Sequence, residues 1–302
     1  MFSFVKPRSP VNVFFIGGGK AGSWKIRGEQ IASTRRNWVC GETITASSLK
    51  NHDVFVAVKQ LRPQDAEQVK RAGKILVYDI IDAWAQPEDS LRIANAEEAR
   101  AFFAARWEGL PIDSCIFPDA QMQADLASLV PHSTVLYHHY YPRLKARKPR
   151  THIRTIGYQG RKKYLGEWGD AIKDIAGHMG LEFVINPSSL MDLDIGFIAR
   201  GGDYNGYMER AYKSNVKLAN LMACGIPPLI LTEGMAYHET WDRQESYFDS
   251  RETLASRLDA LVNNAALRLS LREALLEKAR DFQLPTIAGQ YEKYFLSLVR
   301  QS

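Results

Sequence analysis

Two stretches of the chain set cations beside glycine backbone or at the start of a helix. Arg161-Lys-Lys163 follows Gly157 and Gly160, and Lys213-Ser214-Asn215-Val-Lys217 leads into an apolar run that ends at Gly225. Both suit phosphate oxygens, because guanidinium and ammonium groups donate charge-assisted hydrogen bonds and a helix N-terminus presents unpaired N–H groups. Taken singly, each lysine also reads as a solvated surface residue whose apolar stem lies along the protein.

In the first half, Asp79 and Asp82 stand at the end of an apolar run, where open α/β sheets place their ligands. There either carboxylate could act as a base or orient a hydroxyl. A capping Asp that starts the next helix is the alternative. His138 and His139 end the last strand before a basic connection and could touch a sugar or phosphate, although paired histidines in a Tyr-rich segment also serve structure. Gly17-Gly18-Gly19-Lys-Ala-Gly22 satisfies G-x-G-x-x-G after a strand, with Glu42 about twenty residues on. A dinucleotide-dependent oxidoreductase is therefore a rival reading. The same loop lacks the Gly-Lys-Ser/Thr ending of a P-loop, which disfavours an NTPase.

These residues need elements to hold them. Apolar β-branched and aromatic runs predict strands at 11–16, 53–58, 74–79, 114–117 and 134–137, with helices at 63–72 and 96–107 between them. Residues 141–150 carry two prolines and five Lys or Arg residues without apolar periodicity, and read as a connection. The pattern then restarts with strands at 151–158, 181–185, 194–199 and 228–231 and helices at 164–180 and 216–223. A helical tail spans 267–299 with a break at Pro285. Strands alternating with helices imply parallel sheets covered on both faces.

With 302 residues, 45% of them hydrophobic and 24% charged, the chain can build two domains of about 150 residues. Cys40, Cys115 and Cys224 are odd in number and widely spaced, unlike a disulfide framework or a zinc site, which points to a reducing cytoplasm. No signal-peptide layout opens the sequence, and no run approaches the roughly 20 apolar residues that span a bilayer. The net charge of +5 fits a diphosphate, an anionic lipid surface or a nucleic acid equally well.

The stretch Ala211-Tyr-Lys-Ser-Asn-Val-Lys-Leu-Ala-Asn-Leu-Met-Ala-Cys-Gly-Ile-Pro-Pro-Leu-Ile230 resembles the donor-site helix and following strand of GT-B nucleotide-sugar glycosyltransferases. Ile156-Gly-Tyr-Gln-Gly-Arg161 is similar to the first strand and glycine loop of their C-terminal lobe. Val77-Tyr-Asp-Ile-Ile-Asp-Ala-Trp84 and the Gly17 to Gly22 loop resemble N-terminal-lobe features of the same family. Tyr212 and Asn220 stand where many retaining members carry two glutamates eight positions apart.

The resemblance implies an α/β fold of two Rossmann-like lobes: an acceptor-side lobe over residues 1–150 and a donor lobe over 151–302, with a C-terminal helix packing back across them. It implies transfer of a sugar from a nucleoside diphosphate sugar to a glycan or lipid-linked acceptor. No cofactor is expected, and no bound metal either, because no His/Cys/Asp cluster shows metal-ligand spacing. Arg161, Lys213 and Lys217 would stabilise the leaving diphosphate. Ser214 and Asn215 would line the donor site, and Gly157, Gly160 and Gly225 would admit the donor to the backbone. Glu239, with Glu233 competing, would bind the ribose unless it serves a helix dipole. Asp82 would serve the acceptor, beside Gly18, Gly19, Asp79, His138 and His139. Peripheral contact with an anionic membrane would run through the basic segment 141–150, and nucleic acid is not expected. A non-enzymatic binder of anionic ligands or nucleic acid is the remaining alternative; its affinity would fall steeply with salt.

Overall fold

The computed structural model describes residues 7–82, 93–204, 206–232 and 235–301. Glu233 and the Ala-Trp end of the 77–84 pattern lie outside them. The chain divides into two compact units, residues 1–139 with 283–302, and residues 140–282.

In the first unit, β1 (Val13–Ile16), β2 (Trp38–Gly41), β3 (Val54–Val58), β4 (Ile75–Asp79), β5 (Ser114–Phe117) and β6 (His132–Val135) form one sheet of order β2-β1-β3-β4-β5-β6, every neighbouring pair parallel. β1, β3 and β5 are buried at every position. Near-continuous burial is what a parallel sheet covered on both faces requires, and it explains why these strands are plain apolar runs. β2 is an edge strand with only Trp38 buried, so it carries little apolar signal.

In the second unit, β7 (Thr155–Tyr158), β8 (Glu182–Ile185), β9 (Ile195–Ile198), β10 (Pro228–Leu231) and β11 (Tyr247–Phe248) form a parallel sheet of order β11-β10-β9-β7-β8. Numbered within its own unit this is 2-1-3-4-5, and the first unit follows the same order with one strand added. In such doubly wound sheets the chain reverses its winding direction between the first and third strands. A crevice opens there, outside the strands' C-terminal ends.

The helix Val216–Cys224 ends on Gly225, whose φ of 64° lets its N–H reach the carbonyls of Leu221 and Met222. The tail forms two helices, Ala265–Lys278 and Leu284–Gln301, separated by the 3₁₀ turn Ala279–Phe282. Pro285 falls in the first turn of the last helix, where its missing N–H breaks no intrahelical bond. Among the described residues no helix is long and apolar enough to cross a membrane.

The units divide at residue 139 rather than 150, and the last helix belongs to the first unit, not the second. Side chains explain both differences. Phe295 packs 6.4 Å from Phe15 and 5.7 Å from Trp38 between ring centroids, and Arg35 pairs with Glu292 at 2.8 Å. Residues 141–150, expected to be a solvated connection, are anchored in the second unit. The Tyr141 N–H donates to Asn220 Oδ1 at 2.9 Å and the Arg147 N–H to the Cys224 carbonyl at 3.1 Å, while Arg147 and Arg150 each reach Asp194 at 3.3 Å.

Candidate functional site

At the β7/β9 reversal of the second unit, three loops bring cations and aromatic rings together. Tyr158 closes β7, and Lys217 Nζ lies 4.5 Å from its ring centroid and donates to its hydroxyl at 3.4 Å. The loop after β7 turns at Gly160, whose φ of 145° is one that L side chains rarely adopt. Asn186, the residue after β8, holds that turn from both sides. Its Oδ1 accepts the Gly160 N–H at 2.9 Å and its Nδ2 donates to the Gly160 carbonyl at 3.0 Å.

The loop after β9 carries Arg200, whose guanidinium sits 4.6 Å from the Tyr164 ring centroid, and the Gly201 N–H donates to the Tyr164 carbonyl at 3.1 Å. Lys163 lies 4.8 Å from the Tyr204 ring centroid, and its hydrogen bond to Tyr204 raises its pKa. Burial pushes the Tyr158 hydroxyl pKa up, and the Arg200 charge pulls it back, so Tyr158 feels Arg200 as well as touching Lys217. Arg161 is exposed in the same loop, while Ser214 and Asn215 are buried at the head of the Val216–Cys224 helix, after the half-buried Lys213. An electropositive edge with aromatic faces can hold a diphosphate and stack a base or sugar.

Other expected donor contacts have different work. A Cβ on Gly157 would run into the Leu193 side chain, so that glycine serves strand packing and not donor approach. Gly225 caps the far end of its helix, just before β10 begins, at the edge opposite the β7/β9 crevice. Glu239 is exposed and lines a separate cavity of about 420 Å³ with Asp242, Arg243, Glu277, Lys278 and Asp281, which shares no residue with the β7/β9 loops. Tyr212 is fully buried and Asn220 anchors Tyr141, so both positions that often hold glutamates carry structural side chains.

In the first unit, the β1/β3 reversal opens a cavity of about 350 Å³ lined by Gly17, Gly18, Gly19, Glu42, Lys59 and Arg62 among others. Lys59, directly after β3, has a φ of 66°, and Asp82, beyond β4, a φ of 51°. Strained non-glycine backbone at strand ends is where ligand-binding geometry is commonly held. The dinucleotide reading finds no support in this loop. The Trp24 ring fills the space over both Gly17 and Gly28, and Gly22, which should pack helix on strand, meets nothing.

Asp79, His138 and His139 are not acceptor contacts. Asp79 is fully buried, takes Arg27 Nη2 at 2.7 Å and Nε at 3.1 Å, and accepts the Tyr291 hydroxyl at 2.6 Å. Arg27 also donates to the Leu136 carbonyl at 2.6 Å, tying β4, the end of β6 and the last helix together. Burial raises the Asp79 pKa against the pull of Arg27 and Tyr291, and for Arg27 burial is the largest single effect but is outweighed by Asp79, Tyr291 and Asp82 together, leaving its pKa raised. His139 is buried with Nε2 3.1 Å from the Ile26 carbonyl. His138 is buried too, and desolvation, aided by Arg27 and opposed by Asp82, lowers its pKa well below the usual value.

Arg200, Asn186 and Tyr158 were missed as site residues from sequence. The available signal was Arg200-Gly-Gly directly after the predicted strand 194–199, and a lone Asn after 181–185. Among the described residues no group of three or more His, Cys, Asp or Glu side chains is placed to share a metal ion.

No protein-family model matches the chain, and no curated protein matches its sequence. Solved structures do. The chain is similar to an α,α-trehalose-phosphate synthase (UDP-forming) from Burkholderia vietnamiensis, at 10% identity and TM-score 0.56 over 81% of this chain and 74% of that one. It is similar to a Thermobaculum terrenum O-GlcNAc transferase, at 13% identity and TM-score 0.53 over 98% and 68% of the two chains. It is also similar to T4 phage β-glucosyltransferase bound to UDP-glucose, at 12% identity and TM-score 0.53 over 94% and 97%. At such identities the likeness is one of fold. Two parallel sheets of six and five strands with flanking helices give this chain the two-lobed α/β fold of the GT-B glycosyltransferases.

Proposed function

We propose that the protein is a glycosyltransferase that moves a sugar from a nucleoside diphosphate sugar to a hydroxyl acceptor. The observation that carries this reading is the cation set on Tyr158 and its neighbours, at the β7/β9 reversal of a sheet in that fold. As the bond from sugar to phosphate lengthens, negative charge builds on the leaving diphosphate. Donors already fixed around it lower the barrier without reorganising. Lys217, Arg200 and Arg161 supply that charge, with Lys213, Ser214 and Asn215 at the helix start and the Gly160 loop as backbone partner.

Asp82 orients or deprotonates the acceptor hydroxyl, and the glycine loop at Gly18 and Gly19 lines the acceptor side. The acceptor is a glycan or a lipid-linked glycan. Docking on an anionic membrane would use Arg143, Lys145 and Lys148, the exposed basic residues of 141–150 that do not pair with Asp194, as Arg147 and the exposed Arg150 do.

The T4 phage enzyme takes UDP-glucose and the Burkholderia synthase forms UDP, so uridine is the first base to test. Incubating the protein with UDP-glucose, UDP-N-acetylglucosamine and GDP-mannose, and measuring release of the nucleoside diphosphate with and without EDTA, tests the reading. Release from one donor, lost in Lys217→Ala and retained in EDTA, supports it. No release from any sugar nucleotide, with no binding of any nucleoside diphosphate, contradicts it.

A further inference from the structure

At the opposite edge of the second unit's sheet, four arginines surround a cavity of about 270 Å³. Arg147, Arg150, Arg268 and Arg272 line it, and Asp194 is the single acidic residue among its described lining. Gly225 and Pro227, which precede β10, also line it, so it opens at the strands' N-terminal ends. A four-residue strand spans about 13 Å, which separates this cavity from the β7/β9 crevice.

The hydrogen bonds here satisfy donors without neutralising charge. Arg268 donates to the carbonyls of Leu261 and Val262 at 2.8 Å, Arg150 donates to the Asp192 carbonyl at 3.0 Å, and Arg272 donates to the Arg147 carbonyl. The single carboxylate, Asp194, is claimed at 3.3 Å by both Arg147 and Arg150, and also accepts the Arg154 and Thr155 N–H groups at 2.8 and 3.1 Å. Four guanidinium charges therefore face one carboxylate.

Arg147 is the most telling. Only 8% of its side chain is exposed, and its Nε and Nη1 are buried without a hydrogen-bond partner, as is Nε of Arg272. Burial lowers the Arg147 pKa, Arg150 and Arg272 push the same way, and Asp194 opposes them. Unpartnered buried guanidinium nitrogens are costly, and an anion seated between them would supply both the missing acceptors and the missing charge.

We infer that this cavity is a second anion site, built for a phosphate group and distinct from the donor site. Tetrahedral phosphate offers several acceptor oxygens to converging guanidinium forks, which a single carboxylate cannot match. The phosphate could belong to a soluble phosphate compound or to a lipid headgroup, the exposed Leu269 on the rim being suited to the second.

Inorganic phosphate titrated calorimetrically into Lys217→Ala, which weakens phosphate binding at the donor site, tests the inference independently of the donor reading. Saturable binding is expected, weakened at least tenfold in both Arg272→Gln and Arg150→Gln introduced on that background. Arg150 is exposed enough that its change leaves the fold intact, as circular dichroism verifies. Absence of saturable binding, or binding unaltered in both variants, overturns the inference. Co-sedimentation with phosphatidylglycerol vesicles, against phosphatidylcholine vesicles, then separates the sources. Arg272-dependent pelleting assigns a lipid headgroup, and its absence beside phosphate binding assigns a soluble phosphate compound.

Discussion

Lys217 stands over the face of Tyr158, its ammonium 4.5 Å from the ring centroid and 3.4 Å from the hydroxyl. The ring fixes where the charge sits at the end of β7, and the fixing is through the π face more than through the long hydrogen bond. Tyr158→Phe is therefore expected to leave donor affinity within about twofold, and Tyr158→Leu to weaken it about two- to thirtyfold, the range a cation–π contact of ~0.5–2 kcal/mol supports. Isothermal titration with the bound nucleoside diphosphate checks this; equal losses in both variants would assign the work to the hydroxyl.

Asn186 combines a left-handed backbone, φ 53°, with a two-sided hold on Gly160. Asn186→Ala loses the hold and keeps the strained φ, at an expected cost of about 1–3 kcal/mol. Asn186→Gly loses the hold but relieves the backbone, and should be more stable than the alanine variant by about 1 kcal/mol. Urea denaturation measures the order of the two, and both should bind donor more weakly than the parent.

The Arg27–Asp79–Tyr291 cluster joins the last helix to the first sheet from inside the core. Arg27→Met strands a buried carboxylate and is expected to destabilise by about 3–5 kcal/mol, whereas Arg27→Met with Asp79→Leu should recover much of that loss. Thermal unfolding of the single and double variants decides whether the ion pair is needed or only its completeness.

Among the described residues, His138 and Glu292 have lowered pKa values and so contribute stability that is lost on the acid side. His138 has its pKa lowered by burial, so the unfolded chain binds a proton there first, and stability held above the unfolded value of about 6.5 is lost as pH falls below it. Glu292 has its pKa lowered by the Arg35 hydrogen bonds, and its contribution is lost further down, as pH falls below about 4.3. The slope of unfolding temperature between pH 6.5 and 5 should flatten in His138→Gln, and the slope below pH 4.5 in Glu292→Gln.

The fold was legible where burial is two-sided. Strands β3, β4, β5, β7 and β10 are apolar runs bounded by turns, and their predicted spans fall within a few residues of the structure. β2 and β11 were not legible, being an edge strand with one buried residue and a two-residue strand. The Val216–Cys224 helix was legible through its Gly225 stop, yet Gly225 itself shapes the helix end opposite the β7/β9 reversal. Asp79 was misplaced because a strand-end carboxylate looks alike in sequence whether it meets a ligand or a buried arginine 52 residues away. Arg200 and Asn186 were missed because their role comes from loops meeting across β7, β8 and β9, which no local pattern encodes.

Whether a nucleoside diphosphate is held at Lys217 and Arg200 is decided by titration with UDP, GDP, ADP, CMP, NAD and NADP followed by thermal unfolding. A ligand that binds only the folded chain raises the unfolding temperature by mass action. A saturable rise with one nucleoside diphosphate, reduced at least tenfold in apparent affinity by Lys217→Ala and by Arg200→Ala, is the predicted result. A rise with NAD or NADP alone, unaffected by either substitution, would move the site to the Gly17–Gly22 loop and rule out a nucleoside diphosphate at Lys217 and Arg200.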